Sequence, residues 1–141
     1  MNLLVNIDVD DLEKATRFYC DGLGLTVGRR FDGWIELIGA AAPIYLLPKA
    51  AGTHISPVAK QKRDYRRHWT PVHLDFVVHD IRGAVKRAVA AGATLERDVK
   101  THAYGHLALL ADPWGNGFCL LEFVGRGYDE ITLKNLQPAP A

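Results

Sequence analysis

Several residues able to do chemistry sit in strand-like, apolar surroundings. His73 precedes Leu74-Asp75-Phe76-Val77-Val78, where Leu74, Phe76 and Val78 alternate with His73, Asp75 and Val77. Successive side chains on a strand point to opposite faces, so His73 and Asp75 share one face. A buried His73–Asp75 or His73–Glu36 interaction would poise an acid–base group near neutral pH. Cys119 lies in the apolar run Phe118–Phe123. It reads as an ordinary small buried residue, or as a reactive thiolate if a cation such as His73 stands beside it. His73 with His106, Asp75 or Cys119 is one way to hold a metal, while His106 and Tyr104 equally suit a strand edge. His54, His68, His79 and His102 fall in loops or strand ends and read as surface residues.

Two copies of one pattern must position these groups. Val5, Ile7 and Val9 alternate with Asn6, Asp8 and Asp10, a half-buried strand like the one carrying His73. Each strand runs into an acidic–apolar pair, Asp11-Leu12 and Asp80-Ile81, and Asp80 stands 69 residues after Asp11. Aspartate caps a helix by accepting from a free backbone N–H. Leu12, Ala15, Phe18 and Tyr19, then Ile81, Ala84, Val85 and Ala88, have the spacing of a helix packed on a sheet. Gly22, Gly24 and Gly92 stop the helices. Strands are expected near 25–31, 34–38 and 44–47, and again near 94–99, 106–110 and 118–123. The turn Asp112-Pro113-Trp114-Gly115-Asn116 separates the last two. The order is βαβββ twice, an α+β chain. Its expected divisions are a first module over 1–48, a basic linker over 49–71, a second module over 72–124 and a tail over 125–141. A short helix over Val58–Arg67 is a weakly patterned option, and Gln137–Ala141 should be poorly ordered.

Composition narrows the classes. At 141 residues and 48% hydrophobic, the chain can bury a core. A net charge of +1 gives no global argument for nucleic acid or an anionic membrane. No apolar stretch approaches the roughly 18 residues that span a bilayer. Two cysteines make no disulfide framework and the start lacks a basic leader, so a reducing cytoplasm is the simplest reading. The linker carries Lys49, Lys60, Lys62, Arg63, Arg66 and Arg67 against Asp64 alone. It is a solvated face, or a cover that attracts an anionic ligand or a dimer contact.

With Asp11-Leu12, Phe18-Tyr19, Gly22-Leu23-Gly24, His73 seven residues before Asp80, and the Asp112–Asn116 turn, the chain resembles the vicinal oxygen chelate superfamily. That superfamily holds glyoxalases, bleomycin-resistance proteins and ring-cleaving dioxygenases. The resemblance spans roughly Leu3–Phe123 and implies two half-barrels around an open cavity, paired within the chain or across a dimer. Family enzymes hold a divalent metal there, with ligands from the first and last strands of each module. Those places fall on Leu4, Tyr45, His73 and Cys119. Leu4 cannot ligate and neutral tyrosine is a poor ligand, so the usual metal site is not expected; any metal would use His73 and Cys119.

If the cavity follows the resemblance, His73 and Asp75 face into it opposite Asn6. Trp34, Glu36, Tyr45, Tyr104, His106 and Cys119 are further candidates, a mix of aromatic walls and a few polar groups. The first expectation is a small-molecule binding protein of the bleomycin-resistance type, with no cofactor, a homodimer because open half-barrels leave edges to cover. The second is a glyoxalase-like lyase, isomerase or dioxygenase with His73 as acid–base or metal residue. The third is an interaction module using the basic linker.

Overall fold

β1 (Val5–Val9) turns Val9 fully into the core and leaves Asn6 outward, as its alternation requires. Asp11 caps the next element by accepting from the Lys14 N–H at 3.0 Å. α1 (Leu12–Arg17) then widens into a π-helical turn over Phe18–Gly22. The wider turn buries both neighbours Phe18 and Tyr19. Gly22 packs on the second helix, where a Cβ would meet that of Ala91 at 3.0 Å. β2 (Thr26–Arg30), β3 (Ile35–Ile38) and β4 (Ile44–Pro48) complete a sheet of order β1-β4-β3-β2.

The second half repeats this plan. β5 (Leu74–Val77) precedes α2 (Ile81–Ala91), which Asp80 caps through the Gly83 N–H at 3.0 Å. β6 (Thr94–His102), β7 (Gly105–Ala111) and β8 (Gly117–Phe123) follow, in the order β5-β8-β7-β6. In each sheet the first strand runs parallel to the last, and the other pairs are antiparallel. The outer strands β2 and β6 carry register shifts at Val27/Arg30 and at Leu95/Arg97/Lys100. Such bulges add local twist, which curls each sheet into an open half-barrel. The computed structural model describes residues 1–133, so Gln137–Ala141 lies outside the described residues.

One core lies between the helices and the outer faces of both sheets, built on Phe18, Leu46, Ile81, Leu110, Trp114 and Leu120. Two side chains tie the halves together there. Tyr19 donates its hydroxyl to Asp112 at 2.6 Å, and the Trp114 indole donates to Asp10 at 2.8 Å. Burial and the Asp112 carboxylate push the Tyr19 phenol well above its usual pKa.

The linker does not form the helix considered over Val58–Arg67. It runs as an extended strap with a bridge between His54 and Lys62. Arg63 fixes it from the inside, donating to Asp8 at 2.7 Å and to the His54 carbonyl at 2.5 Å. These distant partners outweigh a local helical preference that has no strong apolar period behind it.

Candidate functional site

On the second sheet, Asp75 and Cys119 are direct partners across the parallel β5–β8 pair. His73 stands two residues before Asp75 and so shares its face. Its Nε2 lies 3.2 Å from Asp75 Oδ1. One donor atom from each of His73, Asp75 and Cys119 falls within 4.8 Å of the others. The His73 side chain is 57% exposed, so the His73–Asp75 pair is present but open to solvent rather than buried. Burial first, and then the Asp75 charge and hydrogen bond, push the Cys119 thiol up to about 11. The neighbour that counts is thus an anion, and at neutral pH the thiol keeps its proton. The thiolate nucleophile weighed from sequence is not what this environment makes.

A cleft of about 190 Å³ opens on this face, lined by His73, Cys119, Leu109, Arg67 and Trp69 among others. The strap forms its far wall. Arg67 donates to Glu96 at 2.5 Å, which holds that carboxyl below its usual range. A second cleft, of about 210 Å³, lies between the β1 and β5 edges and brings Asn6 and His73 onto one surface.

The first sheet carries a separate polar cluster. Glu36 and Tyr45 are direct partners on β3 and β4 and are nearly buried, at 7% and 6% exposure. Glu36 accepts from Arg29 Nη2 at 2.6 Å and Nε at 3.1 Å, from the Arg29 backbone N–H at 3.1 Å, and from the Tyr45 hydroxyl at 2.9 Å. Arg29 also donates to the Tyr45 oxygen at 2.8 Å. Gly28 leaves the room this needs, since a Cβ there would meet Glu36 Oε1 at 2.7 Å. Around the cluster stand Phe31 and Trp34, stacked with ring centres 3.8 Å apart, and Trp34 lies 5.7 Å from the Tyr45 ring. The Arg29 guanidinium sits 5.6 Å from the Phe31 ring centre.

These bonds have a pH signature. The Arg29 side chain, and next its backbone N–H, hold Glu36 down to about 2, against 4.5 for the free group. A depressed carboxyl stabilises the fold fully above its unfolded value and loses that contribution as pH falls through the folded one. Wild-type stability should therefore drop between about pH 4.5 and 2, and Glu36→Gln should flatten that drop. Urea midpoints measured across this window check it; parallel curves for the two proteins would contradict the ion pair. Arg29 is 66% exposed, so solvent screening keeps the effect modest.

The remaining sequence candidates are placed elsewhere. His106 pairs with Glu122, on the face opposite Cys119, and Glu122 accepts from the Ile81 N–H at 2.8 Å at the start of α2. His106 therefore lies on the helix side of the sheet, its Nδ1 2.9 Å from Thr101 Oγ1. Tyr104 sits at the β6–β7 hairpin tip, stacked on His102 and near Tyr128. Arg29 and Phe31 were not singled out from sequence. Strand alternation across a hairpin, with Glu36 already suspected, was the signal that could have found them. Arg67 and Trp69 were seen only as part of a basic segment.

Two four-stranded mixed sheets, each built in the same strand order with one helix, define a two-module protein of the α+β class. The chain belongs to the glyoxalase-like domain family, whose model matches residues 4–121, within the vicinal oxygen chelate superfamily. It is similar to the anthracycline biosynthesis proteins DauV of Streptomyces sp. (strain C5) and DnrV of Streptomyces peucetius. Identity is 31% over 84% of this chain for the first and 34% over 64% for the second. The chain spans only 40% of the length of each. Its fold matches a glyoxalase-related enzyme from Fulvimarina pelagi, with TM-score 0.66, 20% identity and coverage of 86% and 87% of the two chains. It also matches the fosfomycin resistance protein FosX from Listeria monocytogenes, with TM-score 0.65, 15% identity and coverage of 86% and 92%. No helix among the described residues is long and apolar enough to cross a membrane.

The metal of this superfamily meets an unsuitable set of residues here. Leu4 is an aliphatic side chain, 55% exposed. The Tyr45 hydroxyl is already committed to Glu36 and Arg29. The first module thus offers no free ligand at either of its two places, and the four-place site does not fit.

Proposed function

We propose that this protein binds a small planar ligand bearing an anionic or carbonyl oxygen, without the four-ligand metal of its superfamily. The observation that carries this reading is the first-module cluster. Arg29 and Glu36 tie up the hydroxyl of Tyr45, one of the four metal places, beside the stacked Phe31 and Trp34. Glu36 occupies Nε and Nη2 of Arg29, while Nη1 has two further N–H groups to offer a ligand oxygen. Flat aromatic rings and a guanidinium plane together favour a flat, electron-rich partner. The two Streptomyces relatives are named as anthracycline biosynthesis proteins, which is in keeping with that class.

Trp34 reports on this surface. Titration with planar aromatic acids and hydroxyquinones should quench tryptophan fluorescence with a saturable dissociation constant. Arg29→Ala should weaken that binding at least ~10-fold, the loss of a charged hydrogen bond. Quenching that is identical in Arg29→Ala would remove the cluster from the binding surface.

Both half-barrels present open faces, and β6 is exposed along most of its length. A homodimer in which a second copy covers them belongs to this reading, and light scattering in solution tests it. The second functional reading is a glyoxalase-like enzyme with His73 as its acid–base group, which the His73–Asp75 contact favours. A binding loss in His73→Ala without any turnover to lose would favour the binding protein.

A further inference from the structure

The side chains on the second sheet carry a different chemistry from those on the first. Where the superfamily spreads its ligands over both modules, this chain gathers an imidazole, a carboxylate and a thiol on one. The spacing comes from the backbone. Asp75 and Cys119 face each other across β5 and β8, and His73 enters the same face two residues earlier. Strands hold such groups more firmly than loops do. Phe118 and Leu120, in the core, and Phe76, packed against it, fix the strands from behind.

We propose that His73, Asp75 and Cys119 form a transition-metal site contained within the second module, suited to Zn2+ or Co2+ rather than to Mg2+ or Mn2+. Zinc bonds run about 2.0–2.3 Å, so ligand atoms around one tetrahedral ion stand roughly 3.3–3.8 Å apart. The three atoms here already lie within 4.8 Å, and side-chain rotations of about 1 Å close the gap. The ion displaces the Cys119 proton to solvent as the metal–sulfur bond forms, and the resulting thiolate with the Asp75 carboxylate balances the charge of a divalent ion. A soft sulfur donor selects borderline metals over hard ones. The fourth position faces the cleft walled by Arg67, Trp69 and Leu109, which leaves room for water or a ligand oxygen. Three protein ligands and one open position is the pattern of sites that bind an exchangeable fourth partner.

This site holds or fails independently of the aromatic surface on the first sheet. The test is titration of metal-free, reduced protein with Co2+. One equivalent should produce a thiolate-to-cobalt charge-transfer band in the near ultraviolet and the visible bands of a four-coordinate ion. The band should persist in Cys20→Ser, which leaves Cys119 as the one remaining thiol. It should vanish in Cys119→Ser. His73→Ala and Asp75→Asn should each weaken Co2+ binding at least ~10-fold, in line with loss of a ligand. Zn2+ should displace Co2+, and a large excess of Mg2+ should not. The proposal is overturned if no charge-transfer band forms, if the band is lost in Cys20→Ser, or if Mg2+ competes on equal footing. Because the Cys20 variant alone assigns the thiol, a Cys119→Ser protein that fails to fold leaves the test intact.

Discussion

Asp112→Ala should lower unfolding stability by about 3–5 kcal/mol, the cost of stranding several buried donors at once. Asp112 is 5% exposed and serves four donors. Its Oδ2 accepts from the Tyr19 hydroxyl at 2.6 Å and from Asn116 Nδ2 at 2.9 Å. Its Oδ1 accepts from the backbone N–H of Trp114 at 2.8 Å and of Asn116 at 2.9 Å. The carboxylate therefore closes the turn before β8 and fastens the first helix to the second sheet with the same two oxygens. Asp112→Asn keeps one acceptor oxygen but turns an N–H group toward donors, so its loss should fall between wild type and alanine. Urea unfolding measures all three; an alanine variant within ~1 kcal/mol of wild type would mean the turn is held by packing alone.

Gly115→Ala is the second large effect, and Gly33→Ala is its control. Both glycines have φ of +83°, so both alanines carry the same conformational penalty of about 1–2 kcal/mol. The surroundings differ. A Cβ at Gly33 meets nothing within 4 Å, whereas at Gly115 it would lie 2.0 Å from the Arg66 carbonyl oxygen. That oxygen is backbone and cannot rotate aside, so the strap must move. It would pull away the His68 N–H, which donates to the Gly115 carbonyl at 3.1 Å, and with it the Arg67–Glu96 pair. The total for Gly115→Ala should reach about 3–5 kcal/mol, against about 1–2 for Gly33→Ala. Limited proteolysis should find new cleavage between residues 60 and 70 in the Gly115 variant only. Equal losses in the two variants would show that the strap yields at no cost.

Local signals made most of the fold legible. Asp11 and Asp80 cap the helices they were expected to cap, and Val9 and Ala88 point inward as their periods require. Each signal acts within a few residues, so it survives without tertiary information. The strap was not legible in this way. Arg63 is fixed by Asp8, 55 residues away, and no helix forms in the stretch where a weak one was considered. The sites were half legible. Alternation on β5 correctly put His73 and Asp75 on one face, and their meeting with Cys119 followed once β8 paired beside them. His106 needed the β7–β8 register, which sets it against Glu122 and not Cys119. Glu36 was suspected as a partner for His73, but its own hairpin neighbour Arg29 claims it first.

The placement of the ties between the halves governs how this molecule can breathe. Tyr19–Asp112 and Trp114–Asp10 lie among the helices and the β8 turn, on the core side, and would be broken by any hinging of one half on the other. The strap is held over the second-sheet cleft mainly by Arg67, which is exposed, and by the carbonyl of Gly115, which is buried. Traffic into that cleft is thus expected through loop excursions on the nanosecond-to-microsecond scale, not through the slower clamshell motions of domains. Exchange of a bound molecule would then be paced by Arg67 letting go of Glu96 while the His68 N–H leaves the Gly115 carbonyl.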